Sequence, residues 1–211
     1  MDRQIARQKY ENMRSALRME MDFLYTANAI YDQIIMTMKN EPELLNIAPA
    51  FFQVIKKALW ATIIHWTFKL ANDKSSFGIL RYLQFIEKNA SLLTDAERPA
   101  QDLCGRIEAD RKKLQEFAPI LKGVIGRRHK YYGHFNEEFL QDVDKLNTRF
   151  PVKWKELLSL WQLIGEILNR YSIAYDKSAQ SFGAINAGDI QRIFGLIRKE
   201  EKRIKGNVAL P

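Results

Sequence analysis

The densest group of reactive side chains is Arg127-Arg128-His129-Lys130-Tyr131-Tyr132-Gly133-His134-Phe135, which holds two of the chain's three histidines. Arginine can grip a phosphate through parallel N–H···O bonds and stabilise charge that develops on it. Histidine titrates near neutrality and can move a proton to or from a ribose hydroxyl or a leaving oxygen. The two together are sufficient for RNA cleavage without a metal ion, with Arg128 on the phosphate and His134 as general acid or base.

Register separates the members of this group. Leu114, Phe117, Leu121 and Val124 recur at helical spacing, and Arg128 falls next on the same stripe. That aims Arg128 at a helix neighbour or a cleft, where its charge needs an anion. The anion is either a carboxylate of the fold or a phosphate. On an unbroken helix His134 lies roughly 120° round from Arg128. Two arrangements bring them together: Gly133 in a left-handed conformation that ends the helix and releases His134, or a two-fold dimer that joins the motifs of two chains. His129 supports the arginine. Arg127 and Lys130 supply positive surroundings that attract phosphate.

Other candidates are more isolated. His65 is either a ligand or proton carrier or a satisfied core histidine. Asp73 is either a site residue or a turn and capping residue. Trp154, Trp161, Tyr171 and Tyr175 either stack on bases or fill a core or dimer interface. The basic run Arg198, Lys199, Lys202, Arg203 and Lys205 either binds phosphates or suits a solvated helix end.

Several chemistries lack their residues. The chain has no phosphate-cradling glycine loop, no His-Glu-x-x-His, no paired Glu-x-x-His and no nucleophile elbow. Cys104 is the only cysteine, which excludes an internal disulfide and a cysteine metal site. No metal and no cofactor is expected. The net charge of +8 suits a polyanionic partner such as RNA. The longest charge-free apolar run, Ala58 to Phe68, is well short of the ~20 residues that span a bilayer. The N-terminus lacks the apolar core of a signal peptide. The expectation is a cytoplasmic protein without a membrane segment.

The elements that must position these residues are helices. Residues 2–39 read as one long amphipathic helix ended by Asn40-Glu41-Pro42. Pro49 to Ala71 is apolar nearly all round and reads as the central, most buried helix. Ser75 or Ser76 caps a third helix through Phe77 and Ile86, and residues 90–100 connect it to a fourth. Pro119 kinks or restarts that helix, and Gly123 and Gly126 permit close backbone approach. Glu137 to Leu146 forms a short helix and Asn147 to Phe150 a turn. Pro151 opens a helix that runs to Tyr175, and Asp189 caps a last one carrying Ile190, Ile193, Phe194 and Ile197. The result is an all-α fold, a single antiparallel bundle over residues 1–175. Residues 176–211 form a linker and a basic amphipathic helix that packs on the same domain.

Arg128-His129-Lys130-Tyr131-Tyr132-Gly133-His134 resembles the motif of the HEPN superfamily, in which an arginine, a polar residue and a later histidine end a bundle helix. The long first helix, the apolar second helix ending at Leu70-Ala71-Asn72-Asp73 and the Ser-led third helix resemble its abortive-infection AbiU-like branch over roughly residues 1–175. The resemblance implies a homodimer whose two motifs line a shared cleft, and a metal-independent RNase that acts as a toxin or phage-defence effector. It implies an antitoxin protein as a further partner. Arg128 and His134 take the catalytic positions and His129 the polar position beside the arginine. Asn136 stands where some toxins of the superfamily carry a tyrosine modified by a partner nucleotidyltransferase, so that control is not implied. Gly133 stands in place of the usual alanine. The alternative is a non-catalytic helical dimerisation or interaction module, with Arg128 salt-bridged and His134 capping the helix.

Overall fold

The computed structural model describes residues 3–72, 77–92, 100–134, 137–186 and 188–208. Asp73, Ser75, Ser76, Phe135 and Asn136, named above, and residues 93–99 of the expected connector lie outside the described residues. The fold is all-α, with no strand among the described residues. Its helices are α1 (Arg3–Asn40), α2 (Pro42–Asn46), α3 (Pro49–Ala71), α4 (Ile79–Lys88), α5 (Ala100–Gln115), α6 (Ala118–Arg127), α7 (Glu137–Gln141), α8 (Val143–Arg149), α9 (Trp154–Asp176) and α10 (Asp189–Val208). A 3-10 turn covers Ala90–Leu92 and a π-helical turn covers Arg128–Gly133. No described helix is long and apolar enough to cross a membrane.

The chain forms two compact units, one of Met1–Met21 with Ile64–Phe182 and the other of Asp22–Ile63 with Gly183–Pro211. In the first unit the most buried helix is α9. Leu157, Leu160, Trp161, Ile164, Ile167, Leu168 and Tyr171 recur on one broad stripe of it and are all buried. The expectation had given that place to α3. There Phe51 is 58% and Val54 64% exposed, because apolar residues spread round a helix cannot all face one core. Trp161 and Tyr171 are core residues, and the Trp161 indole donates to Thr67 Oγ1 at 3.0 Å.

Polar groups buried in this unit satisfy one another. Tyr82 donates to Tyr10 (2.9 Å), Tyr10 to the Tyr171 carbonyl (3.0 Å), and the Tyr171 hydroxyl to Asp110 (2.8 Å), which also pairs with Arg170. The network ties α1, α4, α5 and α9 together. Burial pushes the ionisation of Tyr82 and Tyr171 far above the usual tyrosine range, so both remain neutral hydrogen-bonding groups.

The second unit is built on Ile34, Leu44, Leu45, Phe52, Ile190 and Phe194. Glu41 holds Arg198 through two bonds of 2.8 and 2.7 Å, so one cation of the basic run already has a carboxylate. Ile193, expected on the core stripe, is 47% exposed.

Prolines and caps set several boundaries differently from the sequence expectation. Pro42 does end α1, and it also starts α2 at its first turn, a helix the spacing had not revealed. Asp142 divides the expected helix 137–146 by capping α8 through bonds to the Asp144 and Lys145 amides, and α8 continues through Asn147-Thr148-Arg149. Pro151 precedes α9 rather than opening it. The Asp189 N-cap is displaced by one residue, since the Gly188 carbonyl accepts the first helical bond, from Arg192 (3.1 Å). The break at Pro119 is real: α5 stops at Gln115 and α6 restarts at Ala118.

Gly123 and Gly126 face the Phe150-Pro151-Val152 segment. A Cβ at Gly126 would overlap the Phe150 ring, and one at Gly123 the Pro151 carbonyl. The chain's own backbone therefore takes the close approach. We expect Gly126→Ala to lower unfolding free energy by about 1–3 kcal/mol through overpacking. Gly105→Ala, where an added Cβ meets nothing within 4 Å, should raise it by about 0.4–1 kcal/mol. Urea denaturation of both variants checks the pair.

Candidate active site

The site is built at the end of α6. Ile120, Gly123, Val124, Gly126 and Arg127 form its buried face. Arg127, not Arg128, therefore continues the buried stripe, because the glycines let the 150–152 segment cover that side. Its Nε donates to the Phe150 carbonyl (2.7 Å) and an Nη to Asn147 Oδ1 (2.8 Å). Burial draws its pKa down, opposed by the nearby Tyr132. The guanidinium is thus engaged by the fold itself.

The next residue points elsewhere, since neighbours on a helix are about 100° apart. The Arg128 guanidinium lies over the Phe68 ring of α3, 4.4 Å from its centroid, as a cation–π contact. Its Nη1 lies 3.3 Å from Nδ1 and 3.4 Å from Nε2 of His129, whose ring meets Phe68 edge-on at 5.8 Å. Arg128 does face a helix neighbour, α3, although it does not continue the buried stripe on which its register had placed it. Among the described residues no carboxylate lies within salt-bridge distance of it. A half-buried arginine on an aromatic ring keeps its charge and much of its donor fork available.

The π-helical turn follows. Gly133 does not take the expected left-handed conformation, as no described glycine has positive φ. The turn widens instead, and a Cβ at Gly133 would lie 3.0 Å from the Arg128 carbonyl oxygen, five residues back at the π-helical spacing. Gly133 thus allows tight closure rather than reversal. His134 ends the turn exposed, with φ −126° and ψ 5°. Its side chain has no hydrogen-bond, ion-pair or ring partner among the described residues. Lys130 is exposed, and Tyr131 and Tyr132 are half-buried with rings 5.0 Å apart.

The structure brings Arg128 and His129 together with residues of α3. His65, one turn before Phe68, has its ring 6.1 Å from that of Tyr132. Burial lowers the His65 pKa, and the charges of Arg128 and Lys69 lower it further. Lys69 lies over Trp66 at 4.1 Å, and the Trp66 indole donates to Glu20 of α1. His65 was visible in the sequence only as a lone histidine on an apolar helix. Phe68 and Lys69, at i+3 and i+4 from it, were the available signal.

No three His, Cys, Asp or Glu side chains among the described residues gather as a metal site would require. A mainly apolar groove of about 430 Å³ runs along α5 and α6, lined by Leu80, Leu114, Leu121 and Ile125 with Arg111 and Lys122. None of Arg127, Arg128, His129, Lys130 or His134 lines it.

The family model for AbiU2, a HEPN family, matches residues 7–192. The chain belongs to the AbiU2 HEPN family. No curated protein and no solved structure gives a significant match. The match spans the α6 end and the π-helical turn, so the arginine and histidine of this AbiU2 chain lie within the region that defines its membership.

The two adjacent arginines should separate cleanly. Arg127→Ala removes a buried guanidinium and its two charge-assisted bonds, to the Phe150 carbonyl and Asn147, and should cost about 2–3 kcal/mol of unfolding free energy. Arg128→Ala loses a partly exposed cation–π contact and should cost about 0.5–1 kcal/mol. Denaturant titration of each checks this. The lowered His65 pKa also has a sign. The unfolded chain binds a proton at His65 more readily than the folded one, so this contribution to stability is present above the ordinary value of 6.5 and is lost as pH falls below it towards the folded pKa. His65→Gln should flatten stability between pH 7 and 5, measured as urea midpoints across that range.

Proposed function

We propose that this AbiU2-family chain is an endoribonuclease of the abortive-infection, toxin–antitoxin kind, cutting RNA without a metal ion. Arg128 binds the scissile phosphate and stabilises the charge of the transition state, and His134 transfers a proton as general acid or base. The observation that carries this is Arg128 itself: a half-exposed guanidinium held on Phe68, with no carboxylate on it among the described residues. Lys130 and Lys69 add positive charge, and the net charge of +8 favours a polyanion. His129 lies against the guanidinium and supports its position.

No hydrogen bond or ring contact joins His134 to Arg128 among the described residues of one chain. A homodimer that joins the motifs of two chains supplies the simplest complete site, with an arginine of one protomer and a histidine of its partner. Gly123 and Gly126 are covered by the chain's own 150–152 segment and take no part in such an interface. The cytoplasm is the expected compartment and a cognate antitoxin protein the expected regulator.

Purified protein should degrade RNA in the presence of a chelator. Arg128→Ala and His134→Ala should each lose about 10²-fold or more in rate, and the ends formed should be a 2′,3′-cyclic phosphate and a 5′-hydroxyl. Equal cleavage by wild type and both variants would overturn the catalytic assignment and favour a non-catalytic interaction module.

A further inference from the structure

We propose that His65 of α3 belongs to the same site, as the group that takes the proton from the attacking ribose 2′-hydroxyl. The proposal rests on the ribonuclease reading above. It supplies that reading with a second proton-transfer group, leaving His134 to act as the acid.

Geometry places His65 there. Phe68 and Lys69 follow it at i+3 and i+4, so all three share one face of α3. Phe68 of that face carries the Arg128 guanidinium at 4.4 Å and meets His129 edge-on. The His65 ring lies 6.1 Å from Tyr132 of the same π-helical turn. The face of α3 under the phosphate-binding arginine is therefore the face that presents His65.

Its surroundings suit a proton acceptor. Lys69 acts on it from its own helix, and Arg128 and Tyr132 from the π-helical turn, while His129 meets the neighbouring Phe68. Glu20 of α1 is engaged by the Trp66 indole. Among the described residues His65 has no ion pair and no hydrogen bond. It is half-buried, with no described side chain bonded to its ring nitrogens. A histidine that only fills a core is usually fixed by a carbonyl or carboxylate on one ring nitrogen. This one has neither. Burial and the two cations keep the imidazole neutral at pH 7, the form that accepts a proton.

The step balances within the RNA and two imidazoles. The O2′–H bond breaks and its proton moves to His65 as O2′ forms a bond to phosphorus. The P–O5′ bond breaks, and O5′ takes a proton from the protonated His134. A cyclic phosphate and a 5′-hydroxyl leave, and exchange with water restores both histidines.

The test uses the full chain and a short oligoribonucleotide. His65→Gln and His65→Ala should lower kcat by about 10²-fold with little change in KM. Both should also remove the acid limb of the pH–rate profile, whose midpoint in wild type lies below 6.5. Free imidazole should restore part of the cleavage by His65→Ala, which a structural role would not produce. In NMR titrations, Arg128→Ala should move the His65 midpoint upward from its wild-type position, towards 6.5. If both His65 variants cleave like wild type with the acid limb intact while Arg128→Ala is inactive, His65 is not the base and the ribonuclease reading stands. A loss of rate in both variants with an unchanged pH profile and no rescue by imidazole would also overturn the assignment. If wild type does not cleave RNA at all, both proposals fall.

Discussion

The presentation of Arg128 depends on the buried charge of the residue before it. Arg127 is 7% exposed and lies between the Phe150 carbonyl and Asn147 Oδ1. Taking a guanidinium out of water costs several kcal/mol, which two charge-assisted bonds offset only while their geometry holds. That requirement fixes the end of α6 against the segment leading into α9. Gly126 makes it possible, since the Phe150 ring occupies the space its side chain would fill. With Arg127 locked on one side of the helix, Arg128 can only be presented on another. There it finds the edge of α3.

A second network keeps α9, α5, α4 and α1 in fixed relation within the same unit. Asp110 is 2% exposed and is satisfied by Arg170 and the Tyr171 hydroxyl, while Tyr171, Tyr10 and Tyr82 pass hydrogen bonds along. Burial raises the pKa of the three tyrosines, Tyr82 and Tyr171 most strongly. Their shifts run towards the neutral tyrosine, with each hydroxyl paired to a protein group, so they hold structure and move no proton. His65 differs in kind. Its shift keeps it in the proton-accepting form, and no described residue occupies its nitrogens. Direction of shift and the presence or absence of a partner separate scaffold from candidate chemistry better than the size of a shift does.

Helical periodicity made most of the elements legible, because α1, α3, α9 and α10 each repeat over several turns. What periodicity cannot show is how two elements close on one another. Gly123 and Gly126 signalled a close approach, but not that the chain's own Phe150-Pro151-Val152 would fill it. Without that, the register of Arg127 and Arg128 is ambiguous by one residue, and the inward position goes to the wrong arginine. The π-helical turn was hidden for a related reason. Gly133 reads as a helix terminator by its freedom at positive φ, yet the conformation used is one in which a missing Cβ spares the Arg128 carbonyl. The α7–α8 division turned on the Asp142 cap, a local bond that hydrophobic spacing does not report. Arg128, His129 and Lys130 were legible from residue type alone. His65 was not, because its meaning lies in a neighbour on another helix.

The way Arg128 is held has a consequence for what it can bind. A carboxylate would neutralise it and compete with an incoming phosphate. The Phe68 face attracts the guanidinium through its quadrupole, a contact of about 0.5–2 kcal/mol that leaves the net charge intact and the N–H edge unspent. The same uncancelled charge adds to burial, the larger cause, in lowering the His65 pKa, so on the proposed reading one cation attracts a phosphate and helps to keep the base neutral. On the proposed reading, the negative charge of a bound phosphate would offset Arg128 and relieve that pressure, raising the proton affinity of His65 as the reacting group arrives. A histidine paired permanently with a carboxylate would gain nothing from substrate binding. On that reading, the arrangement on α3 makes the strength of the base depend on occupancy of the site.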